Sequence, residues 1–122
     1  MGRNNIVGAW GEAIAAQYLQ KNRYKIIATG YRSRFGEIDL IVQNKKYLVF
    51  VEVKLRKSTD FGRPSEFVGY SKQEHLKKAA ILYMKKTEYE GLCRFDVVEI
   101  VGEINEKGKL LAKEVNIIKD AF

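Results

Sequence analysis

The sequence predicts one α/β domain, a mixed β-sheet flanked by helices in the order helix, three strands, helix, strand, strand. Three observations carry this. Apolar residues recur at helical spacing at the start and again over 71–86. Between these segments lie three extended runs rich in β-branched and aromatic residues, separated by short polar turns. The second helical segment leads into another strongly apolar run, Cys93 to Val101, as a crossover to a parallel neighbour does. With 122 residues the chain builds one core, so 1–122 is a single domain. Hydrophobic content of 46% and charged content of 30% belong to an ordinary globular protein rather than a disordered one.

Asn4 or Asn5 is the predicted cap of the first helix, and Ile6, Trp10, Ala13, Ile14, Gln17 and Tyr18 form its predicted apolar stripe down to about Asn22. Glu12 lies at the edge of that stripe, where the residues alone read it as solvated. Tyr24 to Arg32 reads as the first strand, with Ile26, Ala28 and Gly30 facing one way, and Ser33 to Gly36 as the turn into the second. Tyr31, Arg32 and Arg34 gather at that turn. Basic residues beside an aromatic suit a nucleic-acid backbone and an exposed base, although arginines in a turn are also an everyday solvated feature.

After the third strand, Arg56 to Ser65 is a polar loop with the chain's one proline, Pro64. Ser71 to Lys86 is the second helix, with Ser71 as cap and Leu76, Ala79, Ala80, Tyr83 and Met84 buried. Lys77, Lys78, Lys85 and Lys86 decorate its solvated side. Lys72, one turn before Leu76, is placed to lean over the sheet. His75, the single histidine, lies beside the stripe and reads as a surface residue, which leaves no basis for a zinc site or histidine catalysis. Cys93 to Val101 is the fourth strand, in which Arg94 and Asp96 read as a structural ion pair and Cys93, the one cysteine, as a small buried residue. Gly102 to Gly108 is a turn, and Leu110 to Ile118 an edge strand.

The second and third strands hold charges where buried strands usually have none. Glu37 and Asp39 precede Leu40, Ile41 and Val42, while Glu52 and Lys54 interrupt the run Leu48 to Leu55. Residues two apart in a strand share a face, so each pair points one way. A two-residue turn at Asn44 and Lys45 sets Asp39 opposite Phe50, and a four-residue loop sets it opposite Glu52. Either gathers three carboxylates and one ammonium on a single face; an unbulged three-residue loop separates them. Hard oxygen ligands of this kind suit Mg²⁺ or Mn²⁺. With carboxylates beside it, Lys54 is expected as an electrostatic stabiliser rather than a general base. Arg56, on the same face, is the candidate phosphate clamp.

Asp39 followed thirteen residues later by Glu52-Val53-Lys54 resembles the D…ExK signature of the restriction-endonuclease-like superfamily, which includes archaeal Holliday-junction resolvases. The fuller string is Gly11-Glu12, Tyr31-Arg32, Gly36 to Ile41, Phe50 to Lys54, Arg56, Phe61-Gly62, Pro64, Lys72 and Arg94 to Val98. It is similar to the YraN family of bacterial endonuclease-like proteins over nearly the whole chain. The bare triplet is weakly specific and the combined string strongly so. At Gly30 the sequence departs from the family's asparagine. The resemblance implies a restriction-endonuclease-like core and an acidic residue delivered to the metal site by the first helix, here Glu12, and it allows a role near the site for Arg94 and Asp96. Kinship to resolvases implies a branched or structure-specific substrate and a symmetric homodimer.

Twenty-two Lys and Arg against fifteen Asp and Glu give a net charge of +7, which favours an anionic partner. The leading expectation is a Mg²⁺-dependent nuclease that hydrolyses phosphodiester bonds in DNA rather than RNA. Asp39, Glu52 and Glu12 are its metal ligands, Lys54 stabilises the transition state, and Arg32, Arg34, Arg56 and Lys72 contact nucleic acid. Glu37, at a strand start, is the weaker acidic candidate. The rivals are a non-catalytic nucleic-acid-binding module with a nuclease-like fold, and an interaction protein whose acids and Lys54 form a structural network. The amino terminus lacks the apolar stretch of a signal peptide and no run reaches transmembrane length, so cytoplasmic residence without membrane contact is expected.

Overall fold

The computed structural model of the chain describes residues 2–57 and 68–122, with side chains from residue 8 onward. The loop expectations at Phe61-Gly62 and Pro64 lie outside the described residues, as does the side chain of Ile6. The elements are α1 (Gly2–Lys21), β1 (Lys25–Ser33), β2 (Gly36–Gln43), β3 (Tyr47–Lys57), α2 (Tyr70–Lys86), β4 (Leu92–Ile104) and β5 (Leu110–Ile118). The strands form one sheet in the order β1-β2-β3-β4-β5. β1, β2 and β3 make an antiparallel meander, β4 pairs parallel with β3 after the α2 crossover, and β5 returns antiparallel on the edge. This is a five-stranded mixed sheet flanked by two helices, compatible with a restriction-endonuclease-like core.

Alternation along β3 divides the core in two. Val49 and Val51 point with Leu40, Val42, Val98 and Ile100 toward Ala15 and Leu19 of α1. Leu48 and Phe50 point with Ile41 and Val97 toward Leu76, Ala79 and Ala80 of α2. Both faces of β3 are covered, which is why it reads as an almost unbroken apolar run.

Several local expectations are corrected. α1 begins at Gly2, so Asn4 and Asn5 lie inside the helix rather than at its cap. Among its described side chains the buried positions are Gly11, Ala15 and Leu19, spaced by four, whereas Ala13 and Gln17 are exposed and Trp10 is 37% exposed. The cause is close approach. A Cβ on Gly11 would lie 2.9 Å from Leu55 Cδ2, so the helix sets glycine against the sheet in place of the expected Trp10 and turns Trp10 outward. At α2 the cap residue is Gly69 rather than Ser71, and no side chain caps it. In β1 a register shift between Ile26 and Ala28 sends Ile26 toward α1 and Ala28 toward α2, against the expected common face. Cys93 is half-buried rather than fully buried, and packs on the α2 side.

Arg94 and Asp96 do form the expected ion pair. Arg94 Nε and Nη2 each donate to Asp96 at 2.8 Å, and Nη2 also donates to the Tyr24 hydroxyl at 2.9 Å. Asp96, with no exposure, additionally accepts the Asp120 N–H at 2.9 Å, tying the segment after β5 to β4. No helix among the described residues is long and apolar enough to cross a membrane.

Candidate functional site

The β2–β3 ladder runs from Gln43 opposite Leu48 to Leu40 opposite Val51, so the connection is the four-residue loop, the register that continued one step further would set Asp39 opposite Glu52. Asn44 sets that register: its Oδ1 accepts the N–H groups of Lys46 and Tyr47 at 2.9 and 2.7 Å. Beyond Leu40 the two strands part, while β3 continues along β4 to Lys57 opposite Gly102. In the resulting fork Asp39 Oδ2 accepts the Val53 N–H at 2.8 Å, taking the place of a ladder carbonyl.

A second irregularity coincides with the fork. Ile38 and Ile41 both pack toward α2, as do their partners Tyr31 and Ala28, although residues three apart in a regular strand face opposite ways. The residue opposite Asp39 in this register is Gly30, whose φ is +58°. A left-handed residue rotates the strand by one face, and glycine adopts that conformation without strain, asparagine next most readily. Gly30 meets that backbone demand, and the asparagine that the resemblance leads one to expect there would meet it next best.

The slip delivers side chains from both faces of the sheet to one place. Carboxylate oxygens of Glu12 on α1 and of Glu37 and Asp39 on β2 lie within 4.8 Å of one another. Glu52, 3% exposed, faces α2 next to them, and its carboxyl and that of Asp39 are in hydrogen-bond contact. Burial, then the charge of Glu52, push the Asp39 carboxyl up to about 7, only partly opposed by the Val53 N–H. Burial, followed by the charges of Glu37 and Glu52, raises Glu12 as well.

The cations are committed to these acids. Glu52 Oε2 is ion-paired with Lys72 of α2 and lies 3.4 Å from Lys54 Nζ. Burial works against the Lys72 ammonium, but its hydrogen bond to Glu52 and the charges of Glu52 and Asp39 outweigh this and raise its pKa. Arg32 Nε is 3.3 Å from Glu37 Oε2 in an exposed pair, a contact of small energetic weight. Arg34 stands apart, its guanidinium 4.9 Å from the Phe35 ring centroid, and Tyr31 packs edge-on against Tyr83 of α2 with centroids 5.1 Å apart. Arg56 is half-buried on β3, opposite Val101.

One acidic residue escaped the sequence reading. Glu99 on β4 is 8% exposed, opposite Lys54 in the parallel register, and accepts a hydrogen bond from Asn116 Nδ2 at 3.3 Å. The signal was present, an acid inside Val97-Val98-Glu99-Ile100-Val101, the same anomaly that marks Glu52.

A mixed sheet between two helices, forked at an acidic cluster, defines the class: an α/β protein whose core is compatible with the restriction-endonuclease-like arrangement. Residues 11–100, which include every site residue named above, match the family described as "Uncharacterised protein family UPF0102", and the chain belongs to that family. A "UPF0102 protein" of Caldicellulosiruptor bescii is 47% identical over 120 residues, covering 95% of this chain and 96% of its own. One from Syntrophomonas wolfei is also 47% identical, over 98% of this chain and 99% of its own, and one from Acetivibrio thermocellus 45%, over 94% and 89%.

Proposed function

We propose that the protein is a divalent-metal-dependent phosphodiester hydrolase acting on nucleic acid, DNA in preference to RNA. The observation that carries this reading is the convergence of Glu12, Glu37 and Asp39, whose carboxylate oxygens lie within 4.8 Å of one another. An all-oxygen donor set of this spacing fits Mg²⁺ or Mn²⁺, with Glu12, Glu37 and Asp39 as ligands and Glu52 joining through its contact with Asp39. A metal ion held there supplies an acidified water and neutralises charge on a phosphoryl oxygen.

The chain's own residues do the rest. The Val53 N–H fixes one Asp39 oxygen and so orients the carboxylate. Lys72 and Lys54 hold the Glu52 carboxylate in place, so the acidic face is oriented before anything binds. Lys54, with 27% of its side chain exposed, presents a fixed positive charge where negative charge grows on the transferring phosphoryl group. The resemblance of Asp39 and Glu52-Val53-Lys54 to the resolvase signature favours a branched substrate and a homodimer.

The test is a cleavage panel of single-stranded, duplex, flap and four-way-junction DNA and RNA in Mg²⁺ and Mn²⁺. The reading expects metal-dependent cleavage of at least one DNA substrate by wild type and none by Asp39→Ala. Wild-type protein that binds these substrates and cuts none of them would favour the binding-module alternative.

A further inference from the structure

The acidic fork has little charge to spare for a phosphate backbone. Arg32, Lys54 and Lys72 are each ion-paired with Glu37 or Glu52, so these three cations are already matched by carboxylates. The net charge of +7 must be expressed elsewhere. Part of it lies at the other end of α1, in a cleft of about 430 Å³ between the end of that helix, the β2–β3 loop and the segment after β5. Arg23, Lys45, Lys46 and Lys119 line it, and no carboxylate does. Among the described residues none of the four forms an ion pair.

The cleft is held in shape by local bonds. Asn44 pins the turn that carries Lys45 and Lys46 through its two accepted N–H bonds. Arg23 has φ +69°, a left-handed position at a helix end where glycine is the usual residue, at a cost of roughly 1–2 kcal/mol. The negative end of α1 would oppose an anion here, but the carbonyls of Tyr18, Leu19 and Gln20 are occupied. Tyr24 N–H bonds Leu19 O at 3.0 Å, Arg23 N–H bonds Gln20 O at 3.1 Å and Asn22 Nδ2 bonds Tyr18 O at 2.8 Å. Lys46 has its ammonium 5.4 Å from the Tyr47 ring centroid, but four cations without an ion-pair partner, on three segments distant in sequence, repel one another unless an anion lies between them.

We infer that this cleft is a second contact for the phosphate backbone of the nucleic acid whose other part reaches the acidic fork. The identity of the polyanion rests on the proposed function; the anion site itself rests on the cleft. Asn44 lies five positions beyond Asp39, a span of about 17 Å at strand rise. That is close to half a helical turn of duplex, given about 34–36 Å per turn.

The experiment is fluorescence anisotropy of a labelled DNA duplex in EDTA across a salt series, so that neither metal nor turnover enters. It compares wild type, Lys45→Ala/Lys46→Ala/Lys119→Ala, and a charge-matched control, Lys85→Ala/Lys86→Ala/Lys109→Ala, all checked for folding by circular dichroism. The cleft variant should lose at least tenfold in affinity at low salt, with a log K against log salt slope shallower by about 2–3, whereas the control loses far less. Equal losses in both triples would reduce the effect to bulk charge and overturn the inference. So would a mononucleotide that shifts the amide resonances of residues 44–46 and 119 while duplex affinity is unchanged in the cleft variant, since the cleft would then serve a small phosphate ligand. A cleft that binds DNA in a protein that never cleaves it would sink the nuclease reading and leave this one standing.

Discussion

Asp39→Asn should make the metal-free protein more stable at alkaline pH, despite removing a central acid of the site. Burial and the neighbouring Glu52 raise the Asp39 carboxyl from 3.8 to about 7, so between these values the folded protein holds a proton that the unfolded chain releases. Stability contributed by this group is therefore highest below 3.8 and is lost as pH climbs through 7. A rise of about three pH units sets a ceiling near 4 kcal/mol, and relaxation of a partly solvated cluster brings the expected gain to about 2 kcal/mol. The asparagine carbonyl still accepts the Val53 N–H, so that bond is retained. Urea denaturation in EDTA at pH 4, 6 and 8 is the assay. The variant should match wild type within about 0.5 kcal/mol at pH 4 and exceed it at pH 8. Parallel pH profiles, or a variant less stable at pH 8, would refute the electrostatic description of the fork.

Other substitutions probe the parts around it. Gly30→Asn should be tolerated and Gly30→Val should cost about 2 kcal/mol or more in thermal denaturation; because a Cβ there meets only Glu37 Oε1 at 3.6 Å, the difference isolates the φ of +58° from steric crowding. Arg94→Leu should destabilise by about 3–5 kcal/mol by chemical denaturation, since it leaves the wholly buried Asp96 without its bidentate partner. Lys54→Ala should weaken duplex binding by only a few fold but lower the single-turnover cleavage rate by orders of magnitude; losses equal in binding and rate would assign the lysine to ground-state binding alone.

The parts of the fold with a strong local pattern were readable in the sequence. β5 occupies the expected Leu110–Ile118, α2 buries the expected Leu76, Ala79 and Ala80, and β4 lies parallel to β3 as the crossover requires. The β2–β3 connection was legible as an even-numbered loop, which was enough to bring Asp39 near Glu52. What escaped depends on contacts between segments. The buried stripe of α1 follows from how closely Gly11 approaches Leu55, and no periodicity within the helix reports that distance. Glu37 looked free at a strand start because the slip that turns it toward Glu12 is set by Gly30 on another strand. Glu52 was readable as an anomalous buried acid, but its pairing with Lys72 depends on where α2 crosses the sheet. The basic cleft draws on three segments whose charges look like ordinary surface residues one at a time.

The central claim is that the forked strands bring Glu12, Glu37 and Asp39 together as a divalent-metal site. Mn²⁺ binding followed by electron paramagnetic resonance tests it most directly, because it reads the bound ion without substrate or turnover. Wild type should bind one weak Mn²⁺ per chain in competition with Mg²⁺, and Glu12→Ala and Asp39→Ala should each abolish that binding, whereas Glu99→Gln should retain it. Mn²⁺ binding identical in wild type, Glu12→Ala and Asp39→Ala would contradict the claim.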